Sequence, residues 1–161
     1  MKWFRDNFAQ LEKQAQEDGG ENAYHALDMQ AEKIPAGSDS LVVLPYFMGE
    51  RSPVWDTNAR GTIFGLSLTH TKAYVYRAFL EAVAYSLRHS MEATGEDLGV
   101  YILLTGLGTG LLTLEYIKKW QILDGKIIPN PEVHAKYNKY YTMYRKIYTD
   151  LKDDMRELSN I

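Results

Sequence analysis

The glycine-rich turn Thr105-Gly106-Leu107-Gly108-Thr109-Gly110 follows the apolar run Val100-Tyr101-Ile102-Leu103-Leu104 and is the obvious nucleotide candidate in this chain. Glycines let a phosphate approach backbone N–H groups, and the start of a following helix favours an anion. The motif is incomplete. The Walker lysine is missing, and so is the full GxGxxG with its βαβ surroundings and distal acid, so the residues alone read as a structural turn.

Three acids are the tempting candidates for proton transfer: Glu50, Asp56 and Glu81. Each has a simpler reading. Asp56, in a Trp-Asp-Thr-Asn turn, is an Asx-type turn former. Glu50 is expected to pair with Arg51, and Glu81 with a backbone group or with Arg77 four residues earlier. No residue is assigned catalysis. His25, His70, His89 and His134 do not pair at i,i+4, so a zinc site is not expected and no metal ligand is assigned. The tyrosines of the last segment interleave with Lys136, Lys139, Arg145 and Lys146, which is one way to stack on single-stranded nucleic acid. Asp150, Asp153, Asp154 and Glu157 follow, however, and the tyrosines repeat as a packing face.

The elements that must position these groups follow from periodicity. Trp3, Phe4, Phe8 and Leu11 predict a helix over 2–17, stopped by Gly19-Gly20, and a second over 21–33, closed by Pro35. An alternative for this pair is a helical hairpin packing on a partner surface, with Trp3 and Phe4 exposed. Leu41-Val42-Val43-Leu44 predicts a strand buried on both faces, and Thr62-Ile63-Phe64-Gly65-Leu66 a second strand. The loop Gly49 to Gly61 lies between them. A helix over 71–93 places Val75, Phe79, Val83, Leu87 and Met91 on one apolar stripe, with Ala78, Ala82 and Ser86 letting it approach a sheet. Residues 100–104 read as the best strand and 111–120 as a helix. Asn130-Pro131-Glu132 supplies an N-cap, a proline at the first helical position and a first-turn acid. The helix it opens is expected to reach about Leu158, with Tyr137, Tyr141, Tyr144, Tyr148 and Leu151 on one stripe.

At 161 residues, 45% hydrophobic and 24% charged, the chain fits one ordinary globular domain. A net charge of −3 gives no general attraction to nucleic acid or an anionic membrane. The absence of cysteine suits a reducing cytoplasm, and no apolar run approaches a spanning helix. A cytoplasmic protein is expected, with neither nucleic acid nor membrane as partner.

The ordered run Gly49-Glu50-Arg51-Ser52-Pro53-Val54-Trp55-Asp56-Thr57-Asn58-Ala59-Arg60-Gly61, with Ile63, Gly65-Leu66 and Ala78-x-Leu80-Glu81 after it, resembles the second signature of the FGGY family of carbohydrate kinases. Tyr74 stands where that pattern has His or another polar residue, and Phe79 where it has a smaller one, which implies local repacking. The resemblance implies an α/β fold: a truncated, ribonuclease H-like (actin-like ATPase) C-terminal domain with flanking helices. Its parts would be a helical lead-in over 1–34, a strand/loop/helix/strand core over 35–110 and C-terminal helices over 111–161. It implies ATP and Mg2+ as the family's cofactors, a sugar as substrate, and Thr105, Gly106 and Gly108 as nucleotide contacts. The nucleotide loop is expected to run straight into a later glycine phrase, as if several tens of residues between them were deleted. The family's catalytic aspartate and sugar-binding half lie mainly upstream of the matched region. The expected function is therefore the C-terminal part of a sugar kinase, inactive alone. The alternative is a non-catalytic module that forms a homo-oligomer or docks on a complete kinase or partner kinase half.

Overall fold

The computed structural model describes residues 1–94 and 128–160. Helices α1 (Lys2–Phe8), α2 (Gln10–Glu17) and α3 (Ala23–Glu32) precede a short 3-10 turn (Ser38–Ser40) and strand β1 (Val42–Leu44). Strand β2 (Thr62–Phe64), helix α4 (Lys72–Thr94) and helix α5 (Pro131–Leu158) complete the described elements. The strand expected over 100–104 and the helix over 111–120 lie outside the described residues.

Strand β1 divides the interior. Side chains alternate across a strand, so successive residues enter different cores. Leu41 and Val43 join Phe4, Leu27, Tyr76 and Phe79 on one side. Val42 and Leu44 join Tyr46, Tyr85, Tyr144 and Ile147 on the other. This is the two-faced burial that an uninterrupted apolar run predicts, and all of β1 is buried. Strand β2 pairs with it antiparallel, Val43 opposite Ile63, and is more exposed. The described part of the α/β expectation is thus a two-stranded antiparallel sheet wrapped by helices.

Helix α4 departs from the predicted stripe. Val83 and Leu87 are 52% and 62% exposed, and Met91 is about half exposed, whereas Tyr76, Ala78, Phe79, Ala82 and Tyr85 are buried. The helix is gripped from two sides, by α1 and α3 on one and α5 on the other, so its buried surface is wider than the i,i+4 row of aliphatics and rotated away from it. The alanines at 78 and 82 are part of the contact with β1. Phe79 fills an aromatic cluster with Phe4 and Phe47 at centroid distances of 5.6 and 5.8 Å, which accounts for a large ring at that position.

The lead-in is also corrected. A single helix over 2–17 breaks at Ala9 (φ −122°, ψ 44°), which is fully buried and joins the core. The next helix starts later than expected because Asn22 caps it, its side chain accepting the Tyr24 N–H at 2.9 Å. Phe4 is buried, contrary to the exposed hairpin alternative, whereas Trp3 is 44% exposed as that alternative expects and lies tilted against Phe47 at 4.5 Å. Helix α5 begins as expected, the Asn130 side chain accepting from the N–H groups of Glu132 and Val133. Within its tyrosine face Tyr141 and Tyr144 are buried, while Tyr137, Tyr148 and Leu151 pack at the margin.

Between α3 and β1 the backbone enters the left-handed region for four residues in succession: Gly37 (φ 83°), Ser38 (46°), Asp39 (52°) and Ser40 (73°). A β-carbon on Gly37 would lie 2.0 Å from the Tyr140 ring. Gly37→Ala is expected to lower the unfolding free energy by about 2 kcal/mol, from backbone strain plus displacement of Tyr140. Urea denaturation reads this, and an unchanged midpoint would contradict it.

Candidate functional site

Glu81 is 7% exposed on α4 and sits where three segments meet. Its Oε1 accepts the Gly37 N–H at 2.9 Å, the Tyr137 hydroxyl at 2.8 Å and the Arg77 Nε–H at 3.1 Å. Its Oε2 accepts the Ser38 hydroxyl at 3.0 Å. Arg77 also donates to the Tyr137 oxygen at 2.9 Å, so the three side chains form a ring of bonds. A buried carboxylate is costly unless paired and hydrogen-bonded, and this one is both. All four of its hydrogen bonds go to structural donors, three at Oε1 and one at Oε2. The Arg77 partnership was legible at i−4. Gly37, Ser38 and Tyr137 were not, because no sequence spacing links a turn, a helix 43 residues later and another 56 residues beyond that.

The loop from Gly49 to Gly61 is pinched at its base, where Glu50 and Asp56 exchange backbone hydrogen bonds at 2.9 and 2.8 Å. Asp56 is the expected Asx-turn former, its Oδ1 accepting the Asn58 N–H at 2.8 Å. Its other oxygen accepts the Tyr148 hydroxyl at 2.9 Å, which ties the loop to α5. Desolvation pushes the Asp56 carboxyl up, but the Asn58 and Tyr148 hydrogen bonds and the charge of Arg156 outweigh it and hold the group below its ordinary range. Glu50 differs from expectation. Its carboxylate accepts the Arg51 backbone N–H at 2.9 Å and forms no ion pair with the Arg51 side chain. The short backbone path makes the N–H the nearer donor, and burial raises the Glu50 carboxyl above its ordinary value.

Other polar groups also serve packing. The Tyr46 and Tyr144 hydroxyls share a 2.7 Å hydrogen bond in the core. Tyr141 donates to Glu92 at 2.6 Å, Lys72 pairs with Glu12, and His25 pairs with Glu21. Tyrosine rather than phenylalanine fills the α5 face because these hydroxyls reach acceptors at the edges of the core.

Thr105, Gly106 and Gly108, the candidate nucleotide contacts, lie outside the described residues, as does the expected deletion seam. Among the described residues no group of three or more His, Asp or Glu side chains could hold a metal ion. No helix among them is long and apolar enough to cross a membrane.

The FGGY family of carbohydrate kinases, C-terminal domain, matches residues 1–110, and the chain belongs to this family. Gluconokinase from Bacillus subtilis (strain 168) is 40% identical over 87 residues, which are 54% of this chain and 17% of that protein. Xylulose kinase from Lactococcus lactis subsp. lactis (strain IL1403) is 24% identical over 203 aligned positions, covering 98% of this chain and 38% of the relative. That alignment is longer than the chain, so several tens of its positions have no counterpart here. The solved structure of a ligand-bound xylulose kinase from Lactobacillus acidophilus superposes with a TM-score of 0.71 at 24% identity, over 98% of this chain and 38% of that one, and supports the fold. The chain thus spans well under half of these relatives.

The two loop carboxyls pull stability in opposite directions with pH. Asp56, lowered on folding, favours the folded state above roughly pH 4 and loses that contribution as the pH falls through its folded value. Glu50, raised on folding, contributes most when protonated and loses its contribution as the pH rises. Tyr148→Phe removes one of the bonds that lower Asp56. It is expected to flatten the fall in urea midpoint between about pH 5 and pH 3. An acid limb as steep as that of the unaltered chain would contradict the role given to this bond.

Proposed function

We propose that this chain is the C-terminal part of an ATP-dependent sugar kinase and does not transfer a phosphoryl group alone. The observation that carries the reading is the family match over residues 1–110, together with coverage of only 17% of a gluconokinase and 38% of a xylulose kinase. Phosphoryl transfer works by positioning and charge neutralisation, so a phosphate cradle, a metal and a base must be assembled together. The acids tempting by sequence are committed elsewhere: Glu81 to the Gly37 turn and α5, Asp56 to its own turn and Tyr148, Glu50 to a backbone N–H. Bound ATP with Mg2+ would supply the γ-phosphoryl and neutralise its charge. On this reading Thr105, Gly106 and Gly108 are what this chain keeps of the adenine-nucleotide loop in a ribonuclease H-like, actin-like ATPase domain. An internal deletion beside that loop belongs to the same reading, and the longer xylulose kinase alignment is in keeping with positions missing from this chain without locating them. The sugar, named after the relatives, would be gluconate or xylulose, met in the cytoplasm.

A second reading, a non-catalytic module that dimerises or docks on a complete kinase, is favoured by exposed apolar side chains at Leu11 (81%), Leu68 (107%) and Leu87 (62%). The purified chain incubated with ATP, Mg2+ and gluconate, xylulose or glycerol is expected to release no sugar-dependent ADP in a coupled assay. Sugar-dependent turnover without any other protein would contradict the proposal.

A further inference from the structure

Three aromatic rings that border the core on one side face solvent on the other. Trp3, Phe8 and Phe47 are each about half exposed. Trp3 meets Phe8 at a centroid distance of 5.3 Å and Phe47 at 4.5 Å, and Phe47 stacks on the buried Phe79 at 5.8 Å, so the rings form one continuous surface. An apolar hollow of about 220 Å3 adjoins them, where Phe8 comes together with Ile63 and Leu66. Ile63 and Leu66 are 40% and 61% exposed. Single apolar side chains are normal on a surface, whereas a contiguous patch built on aromatic rings has the composition of a protein interface.

The patch is bordered by an open strand edge. Strand β1 is buried along its whole length, β2 is exposed at Ile63 and Phe64, and among the described residues no third strand pairs with β2. The charges and the symmetry of the patch identify its partner as a second copy of the chain. The charged side chain among those lining the hollow is Lys72, and its ammonium is paired with Glu12. The surface therefore meets itself without repulsion and gives a charged partner little to pair with. A strand pairing antiparallel with its own copy is related to it by a two-fold axis, which closes the assembly at two chains. An edge strand left open is a template for such pairing. Half of an aromatic side chain is about 100 Å2, so the three rings with Ile63, Phe64 and Leu66 cover on the order of 600 Å2 per copy. Two copies would bury about 1,200 Å2 together, the lower limit for a specific association.

We propose that two copies of this chain associate through this surface, β2 of one pairing antiparallel with β2 of the other, with the Trp3, Phe8 and Leu66 surfaces of the two copies packed beside the joined edge. The proposal rests on the second reading above, that of a module that dimerises, and names the surface it uses. Sedimentation velocity of the full chain between about 1 and 200 μM is expected to show a monomer–dimer equilibrium with a dissociation constant of about 10 μM, as suits an interface of this size. Leu66→Glu and, separately, Ile63→Lys set like charges against each other at the two-fold axis, and each is expected to weaken the dimer at least about tenfold with unchanged circular dichroism. One change is on β2 and the other beyond it, so loss of fold in either leaves the other as the test. Leu87→Glu, at a leucine of equal exposure on α4 outside the patch, is expected to leave the dimer unchanged. A chain that stays monomeric at about 200 μM would overturn the proposal and leave docking on a complete kinase standing. A dimer weakened by Leu87→Glu but not by a folded Leu66→Glu or Ile63→Lys chain would also overturn it, while keeping the dimerising module on a different face.

Discussion

A single desolvated carboxylate holds the described structure together. Glu81 lies between a left-handed turn, a helix it belongs to and a second helix distant in sequence, and it bonds to each. Its pairing with Arg77 is arginine first, the less favourable order for an i,i+4 pair within a helix. The ion pair is therefore not there to support the helix. Four successive residues at positive φ are costly for any chain, and three of them here carry side chains. The Gly37 N–H and Ser38 hydroxyl, both fixed on Glu81, hold that turn in place and so set where β1 begins. Strand β1 then separates the two cores.

The same commitment of polar groups limits what these acids can do chemically. Acids in an active cleft keep lone pairs free for substrate or metal, and here Glu81 and Asp56 are spent on backbone and tyrosine donors. The family gives the context: residues 1–110 match the C-terminal domain of FGGY carbohydrate kinases. In the loop from Gly49 to Gly61 the signature residues serve packing. Gly49 shows this on a small scale, since a β-carbon there would lie 2.9 Å from the Thr57 backbone as the loop folds on itself.

Local signals were readable in the sequence and relational ones were not. The Asn130-Pro131-Glu132 helix start, the doubly buried β1 run and the Asp56 turn each depend on neighbours within a few residues, and each is found where expected. The burial of α4 depends on which elements approach it, so the aliphatic row through Val83 and Leu87 was a poor guide to its inner face. The break at Ala9 likewise reflects a close tertiary fit that helix propensity cannot anticipate. The partners of Glu81 were the least visible, because a carboxylate's acceptors are filled by whatever the fold brings to it. The glycine turn at Thr105, Gly106 and Gly108 remains a reading from resemblance.

The central claim is that Glu81 couples the Gly37 turn to α5 as one unit. A double-mutant cycle of Ser38→Ala and Tyr137→Phe, measured by urea denaturation with and without Glu81→Gln, tests it most directly. The account predicts that with Glu81 present the two substitutions couple by about 1 kcal/mol and that Glu81→Gln removes the coupling. Effects that add to within about 0.3 kcal/mol with Glu81 in place would contradict it.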